Sequence, residues 1–186
     1  MSRTKLTAVG LAVCLLLLGV AGAATATAAG PARTTIRSTT SFKFKPNRYI
    51  QDGLRWAKDS YTVSSGGTLH VVNGDGSEGP HTFTVLAKRD VPKTTRTLFN
   101  CRACNQLTRA HGADPNSEAP PRFPFLENGV GQSTPPNVDR PGDSALVGSR
   151  GRKGEFIDLK VSARAGTTLY FICLIHPWMQ SKVEVQ

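Results

Sequence analysis

The chain has 186 residues, enough for one domain with a substantial core and too short for two comfortable ones. Its 23 Lys and Arg against 13 Asp and Glu give a formal charge of +10, which suits acidic partners or an anionic cell envelope. No cluster of basic and aromatic residues forms a nucleic-acid footprint, so that class is set aside.

The first element reads as a targeting signal. Arg3 and Lys5 precede the apolar run AVGLAVCLLLLGVAGAA and the small-residue stretch TATAAG, the layout of a secretory signal peptide over residues 1–29. Its removal takes away two cations and no acid, leaving a formal charge of +8. The expectation is an exported protein, secreted, periplasmic or held at the envelope, with residues 30–186 as one domain and no membrane span. An uncleaved anchor is the alternative, because the apolar run approaches the ~20 residues that cross a bilayer. Cys14 leaves with the signal, and the mature chain keeps Cys101, Cys104 and Cys173. Outside the cytoplasm thiols pair, so an odd count asks for a reason, and metal ligation is one.

From Thr34 the text is β-rich. TTIRSTTSFKFKP alternates around Phe42 and Phe44 and stops at Pro46, as a first strand does. NRYIQDGLRWAKD is compatible with a short helix or a loop. SYTVSSGGTLHVVN reads as two strands joined in a hairpin through Gly66 and Gly67, which supply the positive φ of a tight turn. HTFTVLA is a further strand with Phe83 and Val85 on one face. Residues 88–154 break into Pro- and Gly-rich segments in which only NCRACNQLTRAH suits a helical turn or two. That is far longer than an ordinary connection of ~4 to 6 residues, and marks a functional cover or an irregular excursion. Strands resume with GEFIDLKVSARAGTTLYFIC, and SKVEVQ closes the chain. The count is about seven or eight strands without alternating long helices, which predicts an all-β antiparallel sandwich carrying a long loop-rich insertion.

Chemistry concentrates near the C-terminus. Period two puts Leu169, Phe171 and Cys173 on one face, and Pro177 requires the strand to end near Leu174 or Ile175. The loop that follows can fold His176 and Met179 inward beside Cys173. Thiolate, imidazole and thioether together favour copper, and His81, at a strand start after a turn, supplies the second imidazole of a His2Cys site with a distant methionine. Each residue taken alone has an ordinary reading as core filler or turn residue. Met179 is, however, the single methionine besides Met1, and two of the four histidines fall in this set.

TVSSGGTLHVVN followed by PHTFTV, with ARAGTTLYFICLIHPWMQSKVEV at the C-terminus, resembles the cupredoxins, or blue copper proteins, of the plastocyanin, pseudoazurin and amicyanin branch. The short Cys-x2-His-Pro-x-Met loop is most similar to that of amicyanin. The resemblance covers most of the mature chain. It implies a Greek-key β-sandwich holding one copper ion through His81, Cys173 and His176, with Met179 as a weak axial ligand. It also implies one-electron transfer between Cu(I) and Cu(II) rather than enzymatic turnover, a redox partner protein, and a monomer. By the same resemblance His176 passes the electron, with Pro177 and Trp178 beside it as an apolar docking patch. Two departures stand out. The family places Asn or Ser after the first histidine, where this chain has Thr82, and the 88–154 insertion exceeds that of the small members.

Cys101-x2-Cys104-x6-His111 leaves three readings open: a structural disulfide, part of a second metal site, or thiol chemistry. His70 lies inside a strand and is expected on its surface. A copper-buffering or copper-delivery protein would use the same ligands as a carrier. A copper oxidase or nitrite reductase is disfavoured by the lack of His-x-His and His-Cys-His motifs, and a copper-free sandwich used for adhesion or structure is the remaining alternative.

Overall fold

A computed structural model describes residues 29–74, 79–117 and 119–186. The signal-peptide expectation falls outside the described residues. Among these residues no helix is long and apolar enough to cross a membrane.

The strands in chain order are β1 (Arg33–Thr39), β2 (Phe42–Lys45), β3 (Tyr49–Asp52), β4 (Arg55–Trp56), β5 (Ser60–Val63), β6 (Thr68–Val72) and β7 (His81–Leu86). A 3-10 turn (Lys88–Asp90) and the helices α1 (Thr95–Phe99) and α2 (Arg102–Ala110) follow. The chain ends with β8 (Phe125–Glu127), β9 (Val130–Gln132), β10 (Ser144–Val147), β11 (Phe156–Lys160), β12 (Thr168–Ile172) and β13 (Gln180–Val185). They form one sheet ordered β11-β6-β1-β4, a larger one ordered β5-β13-β12-β7-β10-β8-β9, and a small β2-β3 hairpin.

The two main sheets face each other across a core that holds Ile36, Leu69, Val71, Phe83, Leu159, Phe171 and Val183, all fully buried. Phe171 is its centre, with ring centroids 4.5 Å from Phe83, 5.5 Å from Trp56 and 6.2 Å from Tyr61. Burying such a ring contributes about 1.5–3 kcal/mol, so this contact set is a main determinant of how the sheets stack. The all-β sandwich expected from the sequence is therefore present.

Three local expectations change. The 60–72 segment is not a hairpin: β5 pairs in parallel with β13, and β6 pairs with β1 and β11. Gly66 has the expected positive φ of 78°, but the turn carries the chain across the core from one sheet to the other. Tyr61 and Val63 then meet Leu69 and Val71 inside it. Turn chemistry is the same for an arch and for a hairpin, so sequence alone does not separate them. The segment read as a helix or loop forms β3 and β4, and Trp56 of β4 is buried. The first predicted strand breaks into β1 and β2, whose Phe42 and Phe44 are exposed.

The insertion is more ordered than its composition suggests. It supplies both helices and β8, β9 and β10, and β10 joins the large sheet beside β7. Asp143 organises the approach to β10: its buried carboxylate accepts N–H bonds from Asn128, Asp139 and Arg140 at 2.9–3.0 Å. α2 covers the outer face of the large sheet, where Cys101 and Cys104 pack with Leu86 and Ile172 in a second small core. All six residues of β7 are consequently buried, the polar ones included.

Candidate metal centre

β7 and β12 are antiparallel neighbours, with Tyr170, Phe171 and Ile172 opposite Leu86, Val85 and Thr84. This register carries the end of β12 toward the start of β7, and so brings Cys173 to His81 although 92 residues separate them. The His81 Nδ1 lies 3.9 Å from the Cys173 Sγ, and the His176 Nδ1 lies 3.7 Å from it. All three donor atoms fall within 4.8 Å of one another, and this is the one such cluster of three or more His, Cys, Asp or Glu donors found among the described residues.

The loop owes its shape to diverted backbone bonds. The Cys173 N–H donates to the Met179 carbonyl at 3.0 Å and the Met179 N–H donates to the His176 carbonyl at 2.8 Å. The Leu174 N–H leaves the ladder and donates to the Thr82 Oγ1 at 2.7 Å. β12 thus ends at Ile172, one turn of hydrogen bonding earlier than Pro177 alone would require. The Thr82 N–H donates to the Cys173 Sγ at 3.3 Å. Thr82 therefore holds the loop through its hydroxyl and the sulfur through its amide.

His81, Cys173 and Met179 are buried, and His176 is half-buried. Burial, with repulsion from His176 added, holds the His81 pKa down to about 4, so the ring is neutral at ordinary pH and its lone pair is free for coordination. Burial likewise raises the Cys173 thiol pKa, against the Thr82 and loop N–H groups that lower it. A neutral His81 imidazole and a thiol that must lose its proton on metal binding are an ordinary starting state for such a site.

The donor set fits one ion. Bonds of ~2.0–2.3 Å to nitrogen and sulfur around a single centre leave the donors roughly 3.5–4 Å apart, and the two Sγ–Nδ1 separations are of that size. Met179 is fully buried at the foot of the loop with Cys173 in the same core cluster. The His176 ring stands edge-on to His81 at 5.2 Å and to Trp178 at 5.3 Å. Ile175 and Trp178 beside it are exposed.

Cys101 and Cys104 are joined in a disulfide with Cα atoms 5.2 Å apart, and Cys173 is the free thiol among the described residues. The disulfide removes two of the three donors that a second metal site with His111 would need. His70 faces Asp158, its Nδ1 2.7 Å from the carboxylate, and belongs to the surface of β6. Sequence reasoning missed the polar residues behind the centre. Thr84, Ser144 and His111 are buried and hydrogen-bonded to one another, and the one signal for them was the alternating Thr82-Phe83-Thr84, which reads as a solvent face until the insertion covers it. A cavity of about 540 Å³ separates part of the insertion from the ligand loop, lined among others by His111, Asp114, Pro120, Leu174 and His176.

No protein-family model matches the chain, and no curated protein matches it. Among solved structures it is similar to auracyanin A, a "blue" copper protein from Chloroflexus aurantiacus, at 18% identity and a TM-score of 0.41 over 84% of this chain and 100% of that one. It is also similar to a purple cupredoxin from Nitrosopumilus maritimus, at 10% identity and a TM-score of 0.39 over 82% and 99% of the two chains. Amicyanin from Paracoccus versutus gives 10% identity and a TM-score of 0.31 over 83% and 81%. These likenesses are distant, and the chemistry of the centre rests on its own donors.

Proposed function

We propose that this chain is an exported cupredoxin in which His81, Cys173 and His176 would hold one copper ion, with Met179 as a weak further ligand, and that it acts as a one-electron carrier. The observation that carries this reading is the convergence of two imidazoles and one free thiol, with His81 and Cys173 buried and brought together from chain positions 92 residues apart. When bound, copper supplies reversible one-electron chemistry, and a His2Cys set with a weak methionine suits both of its oxidation states.

The protein's own part is positional. Sheet pairing fixes His81 and Cys173, the Thr82 hydroxyl fixes the loop that carries His176, and the Thr82 amide stabilises negative charge on the Cys173 sulfur. Donors held this firmly change little between oxidation states, which keeps reorganisation small. His176 is the half-buried member of the set, and its ring edge is the natural exit for an electron. The exposed Ile175 and Trp178 around it suit a small transient contact with a redox partner protein.

Voltammetry of the copper-loaded protein separates a carrier from a delivery protein. A carrier returns the electron reversibly through repeated cycles and retains Cu(I) against a soft competing chelator. Loss of the metal on the first reduction would contradict the carrier reading.

A further inference from the structure

Phe42, Phe44, Tyr49 and Ile50 are 65, 60, 51 and 69% exposed, and all four lie on the hairpin of β2 and β3. These two strands pair with each other and with neither main sheet, and every residue in them is exposed. Directly opposed residues of an antiparallel pair share a face. Phe44 opposite Ile50, with Phe42 next along β2, therefore makes one face apolar, and Lys43 with Lys45, the latter opposite Tyr49, makes the other cationic. Asp52, the acid of this hairpin, sits at its base, where the carboxylate accepts the Leu54 N–H at 2.8 Å. An isolated two-stranded hairpin is marginal in water, and large apolar side chains left this open mark a contact surface.

Register places the hairpin at the ligand-bearing end of the sandwich. β1, which leads into it, runs parallel to β6, and at the end of β1 the Ser38 Oγ donates to the Asn73 Oδ1, just past β6, at 3.0 Å. β4, which leads out of it, carries Trp56, whose ring centroid lies 6.1 Å from that of His81. The loop between β10 and β11 reaches the same end: Val147 pairs with His81, and the Arg150 Nη1 donates to the Gly74 carbonyl at 3.4 Å. That loop presents Arg150, Arg152 and Lys153, all exposed. Among the described residues, neither these three cations nor Lys43, Lys45 and Arg48 take part in an ion pair. One end of the molecule thus combines an apolar hairpin face with uncompensated positive charge.

We propose that the hairpin of β2 and β3 is a docking arm for an anionic lipid bilayer: Phe42, Phe44 and Ile50 enter the boundary between headgroups and acyl chains, while Lys43, Lys45 and Arg48 engage lipid phosphates. An apolar face backed by a cationic one is the layout of elements that lie in the plane of a membrane interface. The cations of the 150–153 loop add attraction to the same surface, and the net positive charge of the chain steers it there. A second copy is opposed by charge, because pairing two hairpins would set Lys43, Lys45 and Arg48 against like cations.

The test is co-sedimentation of the metal-free mature chain with vesicles, which keeps it separate from the copper reading. Vesicles of phosphatidylglycerol and phosphatidylcholine in equal parts should pellet the chain, and vesicles of phosphatidylcholine alone should not. Lys43→Gln with Lys45→Gln should weaken binding about 25-fold, at roughly 5-fold per cation. Phe44→Ser with Ile50→Ser should weaken it about 100-fold, at roughly tenfold per apolar side chain withdrawn. Lys160→Gln with Arg164→Gln removes equal charge from the opposite end, where Lys160 pairs with Thr68 at the start of β6, and should change binding by no more than about twofold. All the substituted side chains are exposed, so the variants should share the urea midpoint of the wild type. Equal losses in the two charge variants, or binding untouched by the serine pair, would assign the attraction to net charge and overturn the arm. A lipid-free dimer abolished by the serine pair would assign the face to a second copy, and failure to pellet with anionic vesicles would leave it to a protein; either result overturns the proposal.

Discussion

The hydroxyl of Thr82 accepts the backbone N–H of Leu174 at 2.7 Å across 92 residues of sequence. This one bond joins the strand that delivers His81 to the loop that delivers His176, and it replaces the ladder bond that Leu174 gives up. Thr82→Val should leave the Leu174 N–H unsatisfied at a half-buried position and cost about 1–3 kcal/mol, a loss measurable by urea unfolding of the metal-free protein. Thr82→Ser keeps the acceptor and should recover most of it. Equal stability of the valine and serine variants would remove the bond from the account.

Stability of the metal-free protein should fall with acid. Above ~6.5 neither the folded nor the unfolded chain protonates His81, and this residue adds no pH dependence. Between ~6.5 and the folded value of about 4 only the unfolded chain binds the proton, so stability decreases by roughly 3 kcal/mol across that window and levels off below it. His111, also lowered by burial, acts with the same sign. Unfolding midpoints at pH 7.5 and 4.5 check this, and a midpoint that rises on acidification contradicts it.

The disulfide between Cys101 and Cys104 closes a short loop that holds the N-terminus of α2 against Leu86 and Ile172. Unfolded, unreduced protein lacking the signal should take up one alkyl group, at Cys173, and three after reduction. Replacing both cysteines by serine should cost about 2 kcal/mol from the chain entropy of so short a loop, seen as a lower urea midpoint. Uptake of three groups without reduction would refute the pairing.

Asp143 should matter more than its surface-like sequence context suggests. Asp143→Ala leaves the N–H groups of Asn128, Asp139 and Arg140 without their common acceptor, and several lost bonds to a charged group amount to about 2–4 kcal/mol. Amide exchange should accelerate first in β8 and β10. Uniform exchange across the sandwich would show that Asp143 does not anchor the insertion.

Much of the sandwich was legible because period-two patterning survives wherever one strand face meets the core. Leu169, Phe171 and Cys173 fall on one face as alternation requires, and the ligand loop was legible from Cys173, His176, Pro177 and Met179 within seven residues. Pairing across the molecule was not. The turn at Gly66 specifies a change of direction but says nothing about which sheet receives β6, and that is settled by long-range partners, β1 and β11. The insertion hid its order because its strands are three or four residues long, too short for periodicity to register. The same insertion makes Thr82 and Thr84 interior residues, so a hydroxyl face that reads as solvent-exposed in the sequence is the back wall of the metal centre.

Copper binding itself is read by titrating the signal-free protein with Cu(II) while recording visible absorption, alongside Cys173→Ala. The wild type should saturate at one copper per chain with an intense thiolate-to-copper band, and the variant should show no such band. Absence of stoichiometric binding by the folded wild type, or an equal band in Cys173→Ala, would contradict the copper reading.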